Sequence, residues 1–256
     1  MILLIDAGNS RIKWASASHD AGSRLGAWSN SGSVARDQAG QLVDAWGKLP
    51  ISRALLSNVA GAAVRASLEQ ALQIVAPTVA PEWVLSAPQL AGIRNGYRQP
   101  QQLGSDRFIS AIGAHAMFPD RALLVVTCGT ATTLDAITAE GLFRGGLILP
   151  GLSLMAASLA RNTAQLPQVI QQAENLPLFA DNTEEAIISG CMAAQTGAIE
   201  HAFADFARRH ADESPLCLVS GGAGAAIGAQ LAIPYRHVDN LVLPGLQTVA
   251  YQSTPQ

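Results

Sequence analysis

Two short segments of the chain combine a glycine with hydroxyl side chains directly after an apolar run. Residues 6–10 (DAGNS) follow the apolar residues 2–5, and residues 127–133 (TCGTATT) follow the apolar residues 122–126. A glycine-rich turn exposes backbone N–H donors and lets them approach a ligand closely, so that with nearby hydroxyls they can bind phosphate oxygens. The two turns therefore predict a clamp for a polyphosphate, with hydroxyl donors from Ser10, Thr130, Thr132 and Thr133.

Two further features fit the same chemistry. Asp6 ends the first apolar run, where a carboxylate can bind Mg²⁺ directly or through water. A third apolar run, residues 216–219, leads into SGGAGAA, whose bare backbone could lie against a purine or ribose. Each feature alone is common in turns that bind nothing. Their occurrence in order on two halves of the chain favours a nucleotide site.

Composition argues against several classes of protein. Apolar residues make up 49% of the 256 residues and charged residues 14%, which is typical of a folded domain rather than a disordered chain. The net charge is −3 without a Lys/Arg cluster, which argues against nucleic-acid binding. The apolar runs are interrupted by Asp6 and by Pro150, so neither a signal peptide nor a membrane span is predicted. Three cysteines that fit no zinc pattern complete the expectation of a soluble, cytoplasmic protein.

The hydrophobic pattern predicts an α/β fold made of two similar halves. Each half begins with a strand, a glycine turn and a returning strand, which suggests a duplicated domain with the boundary at residues 118–121. We therefore expect domains at residues 1–118 and 119–256. The segment 86–103 is expected to lack regular structure. Strands are predicted at 2–5, 11–17, 54–59, 122–126, 132–137, 142–151 and 216–219, and helices at 62–73, 106–118, 153–161 and 183–210.

Six motifs in a fixed order carry a resemblance to a known family. They are D-x-G-N-S (6–10), G-x-D-R (104–107), G-T-A-x-T-x-D (129–135), G-G-x-I-x-P-G (145–151), N-T (182–183) and G-G (221–222). With this order and spacing, the chain resembles type III pantothenate kinase, of the acetate and sugar kinase/actin/Hsp70 superfamily, over nearly its whole length. The resemblance implies two ribonuclease H-like (actin-like ATPase) domains with the active site in the cleft between them.

The resemblance also implies an activity and its participants. The activity is ATP-dependent phosphorylation of pantothenate to 4'-phosphopantothenate, the first step of coenzyme A biosynthesis, with Mg²⁺, a monovalent cation (K⁺ or NH₄⁺) and a homodimer. The implied nucleotide-binding residues are Asp6, Ala7, Gly8, Asn9, Ser10, Arg11, Ile12, Lys13 and Thr130. The implied pantothenate-binding residues are Tyr97, Gly104, Ser105, Asp106, Arg107 and Thr183, with Asp106 as the proton acceptor.

One position departs from the family. The family usually reads D-x-G-T-A, and its Asp is the ligand of the monovalent cation, whereas this chain has Thr127. A neutral hydroxyl lacks the anionic field of a K⁺ site, so the potassium requirement stays open. Two alternatives also stay open: a kinase for another small hydroxylated substrate, and a non-catalytic ATP-binding relative. A Rossmann oxidoreductase is excluded, because no G-x-G-x-x-G follows the first strand.

Asp106 lies in the first turn of the predicted helix 106–118, with Ser105 as the expected N-cap. The helix dipole and the adjacent Arg107 both stabilise a carboxylate there, which predicts an ordinary or lowered pKa for Asp106. A weak base suffices for phosphoryl transfer, because the loose transition state lets the acceptor hydroxyl lose its proton late. Alternatively, Asp106 only decorates a helix N-terminus. Arg107 suits either the substrate carboxylate or the transferred phosphoryl group.

The helix predicted at 183–210 has two features of its own. Thr183 stands where this helix begins, so it can be a cap or first-turn residue as well as a ligand contact. Gly190, Ala194 and Gly197 form a stripe of small residues along it. The stripe suits close packing, either within the chain or at a dimer contact. Tyr97, in a Gly/Pro-rich loop that offers little to pack against, is expected to contact a ligand.

Overall fold

The structure is a computed structural model that describes residues 1–20, 24–163, 166–167 and 177–252. The sequence left a Gln-rich stretch (165–172) and the tail (253–256) without assignment. Apart from residues 166 and 167, both lie outside the described residues.

The described residues form an alternation of strands and helices. The strands are β1 (Ile2–Ala7), β2 (Arg11–Ala17), β3 (Asn30–Ala35), β4 (Arg53–Asn58), β5 (Pro81–Trp83), β6 (Gln89–Leu90), β7 (Ile93–Asn95), β8 (Leu123–Cys128), β9 (Ala131–Ile137), β10 (Leu142–Pro150), β11 (Leu216–Ser220) and β12 (Tyr235–His237). The α-helices are α1 (Leu42–Trp46), α2 (Ala62–Val75), α3 (Ser105–Met117), α4 (Leu152–Asn162), α5 (Thr183–Arg209), α6 (Gly224–Gly228) and α7 (Val242–Gln252). Short 3₁₀ turns lie at Arg36–Gln41, Pro100–Gln102 and Ala211–Glu213.

The chain divides into two compact units. Unit 1 consists of Met1–Pro119, Gly141–Phe143 and Asn240–Gln256, and unit 2 consists of Asp120–Glu140 and Arg144–Asp239. The division after Pro119 lies one residue from the boundary expected from the sequence. The last helix, α7, is grouped with unit 1, although the sequence placed it with the second half.

Unit 1 contains a five-stranded sheet in the order β3-β2-β1-β4-β5. The central strand β1 runs antiparallel to β2 and parallel to β4. Its residues 2–5 are all buried, as expected for a strand covered on both faces. One face packs against α1 and α2 through a core that includes Leu3, Ile5, Trp14, Leu42, Trp46, Leu56 and Leu68.

Helices α3 and α7 pack closely together in unit 1 and contact the sheet strands β1 and β4. Glycines permit the close approach of the two helices. A Cβ on Gly113 of α3 would collide with the carbonyl oxygen of Leu241, and a Cβ on Gly245 of α7 would collide with that of Ile109. The middle of α3 is therefore packed tightly against α7 and the segment before it.

Unit 2 repeats the central arrangement of unit 1. Strand β8 is antiparallel to β9 and parallel to β11, which in turn is parallel to β12, while β10 neighbours β9. Its core includes Leu124, Val126, Leu134, Ile187, Ile199, Phe206 and Val219. Strand β10 begins in unit 1, where Leu142 and Phe143 pair with β7.

Most predicted elements are confirmed, with ends that differ from the prediction by at most two residues. Helix α2 buries the four residues that its periodicity placed on one face, Val64, Leu68, Ala71 and Leu72. The expectation for segment 86–103 was wrong, because β6, β7 and a 3₁₀ turn form there. Six further strands and α-helices of the described residues were not predicted: β3, β5, α1, α6, β12 and α7. No helix in the described ranges is both long and apolar enough to cross a membrane.

Candidate active site

Asp6 lies at the carboxyl end of β1, in the middle of the unit 1 sheet. Its register partners are Lys13 on β2 and Ser57 on β4. Lys13 is directly opposite on the antiparallel neighbour, so its ammonium group and the Asp6 carboxylate are on the same face. The Asp6 Oδ2 atom accepts a hydrogen bond of 2.9 Å from the Asn240 side-chain amide.

The environment of Asp6 disfavours its charged form. Burial raises the pKa of this carboxyl to about 6, although the Asn240 hydrogen bond and the Lys13 charge both act to lower it. The negative charge of Asp106 adds to the increase in the Asp6 pKa. Asp6 and Asp106 are therefore close enough to interact electrostatically, although 99 residues separate them along the chain.

The N-terminus of α3 brings Ser105 and Asp106 beside the ends of the sheet strands. Ser105 was expected to cap the helix, but it is the first helical residue and Gly104 is the N-cap. The Ser105 hydroxyl is buried and lies 3.4 Å from the hydroxyl of Ser57, at the end of β4. Because Ser57 pairs with Asp6 in register, the end of β1, the end of β4 and the start of α3 converge.

The side chain of Asp106 folds back onto the N-terminus of α3. Its Oδ1 atom accepts a hydrogen bond of 2.9 Å from the backbone N–H of Arg107. Gly104 makes this possible, because a Cβ there would stand 2.6 Å from the same oxygen. The expectation of an ordinary or lowered pKa for Asp106 was wrong: burial raises this pKa and outweighs the hydrogen bond and the positive charge of Arg107. Asp106 is therefore a stronger base than its position in the first turn suggested.

Arg107, Tyr97 and Phe143 form a cluster next to Asp106. The Arg107 guanidinium is buried and donates a hydrogen bond of 3.0 Å from Nη1 to the Tyr97 hydroxyl. It also lies 5.8 Å from the ring centroids of both Tyr97 and Phe143, within the range of a cation–π contact. The two rings meet edge to face at 5.7 Å. The Tyr97 loop therefore has more to pack against than its composition indicated.

Asn95 orders this loop and was not singled out by sequence. It is buried, and its Oδ1 accepts a 3.0 Å hydrogen bond from the backbone N–H of Tyr97. Its Nδ2 donates to the Ser86 hydroxyl and to the carbonyl oxygen of Pro100. One buried amide thus ties three parts of the segment together and holds Tyr97 in place.

The first glycine turn joins β1 to β2. Strand pairing ends at Ala7 and Ile12, and the Gly8 N–H donates to the carbonyl oxygen of Arg11 across the turn. Asn9 and Ser10 are exposed at its tip. The turn therefore presents backbone and hydroxyl groups to solvent, directly after the Asp6 carboxylate.

The second glycine turn joins β8 to β9 within unit 2 and is one residue shorter than the first, because strand pairing ends at Cys128 and Thr132. The Gly129 N–H donates to the carbonyl oxygen of Ala131, and Gly129 and Thr130 are exposed at the tip. Thr127 pairs with Thr133 on β9 and with Ser220 on β11. This register matches the one that joins Asp6 to its neighbours in unit 1, so Thr127 occupies the position equivalent to Asp6.

The hydroxyls of this hairpin divide between its two faces. Thr132 is 1% exposed, so it faces the core and its expected contribution to a phosphate clamp was wrong. Thr133 is half-buried and opposite Thr127, and its Oγ1 lies 3.4 Å from Oδ2 of the buried Asp135. The second hairpin therefore contains a carboxylate, that of Asp135. Asp135 lies two residues after Thr133 on β9, on the same face of the strand.

Two glycines let other segments of unit 2 press against the second turn. Gly151 donates its N–H to the carbonyl oxygen of Thr130, and a Cβ on Gly151 would collide with the Gly129 carbonyl oxygen. Gly221 has a φ of 93°, and a Cβ there would collide with the carbonyl oxygen of Cys128. The P-G and G-G motifs thus support the turn.

Thr183 is the exposed first residue of α5. The cap of this helix is Asn182, whose Oδ1 accepts a 3.0 Å hydrogen bond from the backbone N–H of Glu185. Thr183 also borders a groove of about 830 Å³ between α4 and α5, together with Leu154, Leu159, Arg161 and Ile187. The stripe residues Gly190, Ala194 and Gly197 on the same helix are exposed.

The structure thus gathers Asp6, Lys13, Ser105, Asp106, Arg107 and Tyr97 within unit 1, and Thr127, Thr130 and Thr183 within unit 2. Sequence reasoning missed Asn240. Its signal is weak: an Asn two residues before the first residue of a helix is a common capping pattern, and nothing near it in sequence suggests a link to Asp6.

Solved structures with the same fold support the two-unit architecture. A Baf family protein from Campylobacter jejuni superimposes with a TM-score of 0.61 at 18% identity, with 98% of each chain covered. A glucokinase from an Antarctic psychrotroph gives a TM-score of 0.50 at 11% identity, with 98% of this chain and 99% of that chain covered. The fold is therefore that of the actin-like ATPases and sugar kinases, with ribonuclease H-like units.

Sequence relatives cover the whole chain. A type III pantothenate kinase from Herminiimonas arsenicoxydans is 53% identical over 256 residues, covering 100% of this chain and 99% of the relative. One from Janthinobacterium sp. (strain Marseille) is 55% identical over 258 residues, with the same coverage. The family model of type III pantothenate kinase matches residues 2–205. The chain therefore belongs to the type III pantothenate kinase family.

Proposed function

We propose that this protein transfers the γ-phosphoryl group of ATP to the terminal hydroxyl of pantothenate, the first step of coenzyme A biosynthesis. The observation that carries the proposal is the convergence of two carboxylates in unit 1. Asp6 lies near the end of β1 beside a glycine turn, and its register partner Ser57 lies 3.4 Å from Ser105, the residue before Asp106 in the first turn of α3. Family membership over the full chain supports the choice of pantothenate.

The residues of unit 1 have distinct proposed roles. Asp106 orients the acceptor hydroxyl and takes its proton, which its raised pKa favours. Tyr97 and Arg107 bind pantothenate, together with Gly104 and Ser105. Because the Arg107 guanidinium is already held against Tyr97 in the buried cluster, we assign it to the substrate carboxylate rather than to the transferred phosphoryl group.

The turn at residues 6–13 is assigned to the phosphates of ATP, and the family resemblance adds Thr130 as a nucleotide contact. The exposed turn tip offers N–H and hydroxyl donors, and Lys13 adds a positive charge opposite Asp6. Within the described ranges no cluster of three or more metal-ligating side chains occurs. Asp6 would bind Mg²⁺ together with phosphate oxygens and water, as Mg²⁺ prefers. When bound, the ion neutralises charge that develops on the transferred group.

A potassium site fits this chain poorly. Thr127 provides a neutral hydroxyl at the position equivalent to Asp6, and Asp135 lies two residues along β9 from its register partner. We therefore expect turnover that depends little on K⁺ or NH₄⁺. Activity that requires K⁺ would contradict this expectation; if the Asp135 carboxylate then binds the cation, an Asp135→Asn variant would lose activation by K⁺.

A homodimer is proposed on the family resemblance, with Thr183 as the contribution of α5 to pantothenate binding. The exposed stripe of Gly190, Ala194 and Gly197 supports it, because an exposed stripe of small residues allows another backbone to approach. Sedimentation equilibrium of the purified protein measures this directly. A monomer at micromolar concentration would contradict the proposal.

The decisive experiment is an ADP-release assay with Mg·ATP and pantothenate, run with and without K⁺ or NH₄⁺. Pantothenate-dependent release, together with a phosphorylated product of the correct mass, supports the proposal. Release only with another small alcohol would identify a kinase of different specificity. Calorimetric ATP binding without release to any acceptor would identify a non-catalytic relative.

A further inference from the structure

We propose that Asn240, in the segment before α7, is a positioning residue for the nucleotide site: its side-chain amide fixes the carboxylate of Asp6 in the orientation that receives Mg·ATP. The inference deepens the proposed function and rests on its assignment of Asp6. It requires only that Asp6 serves nucleotide binding, whichever alcohol is the acceptor.

The orientation of the Asn240 amide is determined by two hydrogen bonds. Its Oδ1 accepts a 2.7 Å bond from the backbone N–H of Leu243, so its Nδ2 must face the other way. There Nδ2 donates a 2.9 Å bond to Oδ2 of Asp6. Because an amide has one donor side and one acceptor side, capping α7 forces the donor onto Asp6.

This hydrogen bond leaves Asp6 with one carboxylate oxygen for other use. Among the described residues, Asn240 makes its hydrogen bond to Oδ2 of Asp6, so Oδ1 is not the atom it binds. A carboxylate with one oxygen fixed by a neighbouring donor keeps its rotamer when a ligand arrives, so less conformational entropy is lost on binding. Asn240 is half-buried, so water competes only in part for this hydrogen bond.

The packing of α3 against α7 makes the arrangement rigid. A Cβ on Gly113 would collide with the carbonyl oxygen of Leu241, the residue directly after Asn240. Asp106 lies in the first turn of the same α3 helix, and Asn240 directly precedes the segment that α3 packs against. The packing of α3 against α7 therefore fixes the position of Asn240, and through it that of the Asp6 carboxylate, relative to Asp106. The C-terminal segment thus serves the site although residues 206–252 lie outside the family match.

The substitution Asn240→Ser separates the two roles of this side chain. Serine is about as good an N-cap as asparagine, so its hydroxyl should still accept a hydrogen bond from the Leu243 N–H. Serine cannot reach Asp6 with an amide donor. A Gln247→Ala variant provides the control for α7 itself, because Gln247 is buried on α7 and bonds the Gly26 N–H and the Tyr251 hydroxyl instead.

Binding of a non-hydrolysable Mg·ATP analogue, measured by calorimetry, tests the proposal without reference to the acceptor. We expect Asn240→Ser to weaken binding about tenfold, as is typical when a hydrogen-bond partner of a metal-binding side chain is removed. Gln247→Ala should lower the melting temperature and leave the dissociation constant unchanged. In an Asp6→Asn background, Asn240→Ser should have no further effect on the dissociation constant, because Asn240 acts through Asp6.

Two outcomes would overturn the inference, and they are distinguishable from failure of the proposed function. Equal binding by the wild type and Asn240→Ser would show that Asn240 only caps α7. Equal weakening in Asn240→Ser and Gln247→Ala would show that helix stability, rather than the Asp6 contact, controls binding. Absence of analogue binding by the wild type would remove the nucleotide site itself, and the proposed function with it.

Discussion

Replacing Asp6 by asparagine should stabilise unit 1 while it removes nucleotide-dependent activity. Asparagine has nearly the same shape, carries no charge, and can present its Oδ1 to the Asn240 amide. The variant therefore removes the cost of burying a charge and retains the hydrogen bond of the wild type.

The magnitude follows from the pKa of Asp6, which rises from 3.8 to about 6 on folding. The folded state holds the proton more tightly than the unfolded state, so wild-type stability falls as pH rises from near 3.8 through about 6. The full cost, about 3 kcal/mol, is present at pH values near 8, and about half of it near pH 5. Because Asp6 is only half-buried, solvent screening makes these figures upper bounds.

Urea unfolding followed by tryptophan fluorescence measures the stability of unit 1, which contains Asp6. The four tryptophans, Trp14, Trp28, Trp46 and Trp83, all belong to unit 1. The measurement is made with EDTA, so that metal binding does not contribute. Asp44→Asn, at an exposed carboxyl on α1, is the matched control and should change stability little at either pH.

If Asp6→Asn unfolds at the same urea concentration as the wild type near pH 8, or gains equally near pH 5 and pH 8, then burial does not raise the pKa of Asp6. If the variant is less stable at both pH values, the hydrogen bond to a charged carboxylate contributes more than the burial of that charge costs.

Three further predictions concern the site. Asp106→Asn should lower kcat about 100-fold or more without lowering the melting temperature. In the wild type, kcat should fall as pH is lowered through a midpoint above the 3.8 of an ordinary aspartate, because burial raises the pKa of this base. A full-rate Asp106→Asn variant would remove it from the mechanism. Tyr97→Phe removes the hydroxyl bonded to Arg107 and should raise the KM for pantothenate about fivefold, corresponding to about 1 kcal/mol, with an unchanged KM for ATP. Gly151→Ala should cost about 1–3 kcal/mol and weaken ATP binding, because the new Cβ meets the carbonyl of the second turn; unchanged unfolding and ATP affinity would contradict the packing seen there.

Local patterns were sufficient to predict much of the fold. Strands β1 and β2 are recognisable because apolar and alternating residues flank a glycine turn, and α2 because its apolar residues recur at helical spacing. Strand β3 (NSGSVA) escaped prediction because it has no alternation of apolar and polar residues, and pairing with β2 alone makes it a strand. Helix α7 escaped because Pro244 and Gly245 are poor helix formers, which the packing on α3 overrides.

The candidate site was likewise predictable from the sequence only where its signals are local. The order of motifs along the chain identified Asp6, Asp106 and the glycine turns, because each motif is a short segment whose residue types are visible in sequence. The direction of the Asp106 pKa was wrong, because the helix dipole and Arg107 are local and visible in sequence, whereas the burial that outweighs them comes from other segments. The burial of a side chain depends on neighbours from several segments of the chain, and only the fold brings these segments together.

By itself, then, the sequence determined the family, the strand–turn–strand units and the residue types available for phosphoryl transfer, since these depend on neighbours within a few positions. The tertiary structure alone decided which of those groups interact. Asn240 bonds Asp6 across 234 positions of sequence, and Phe143 packs against Tyr97 and Arg107 from another strand. Contacts of this range depend on how helices and strands pack, and side-chain packing is set by shape and burial rather than by any local pattern of residues.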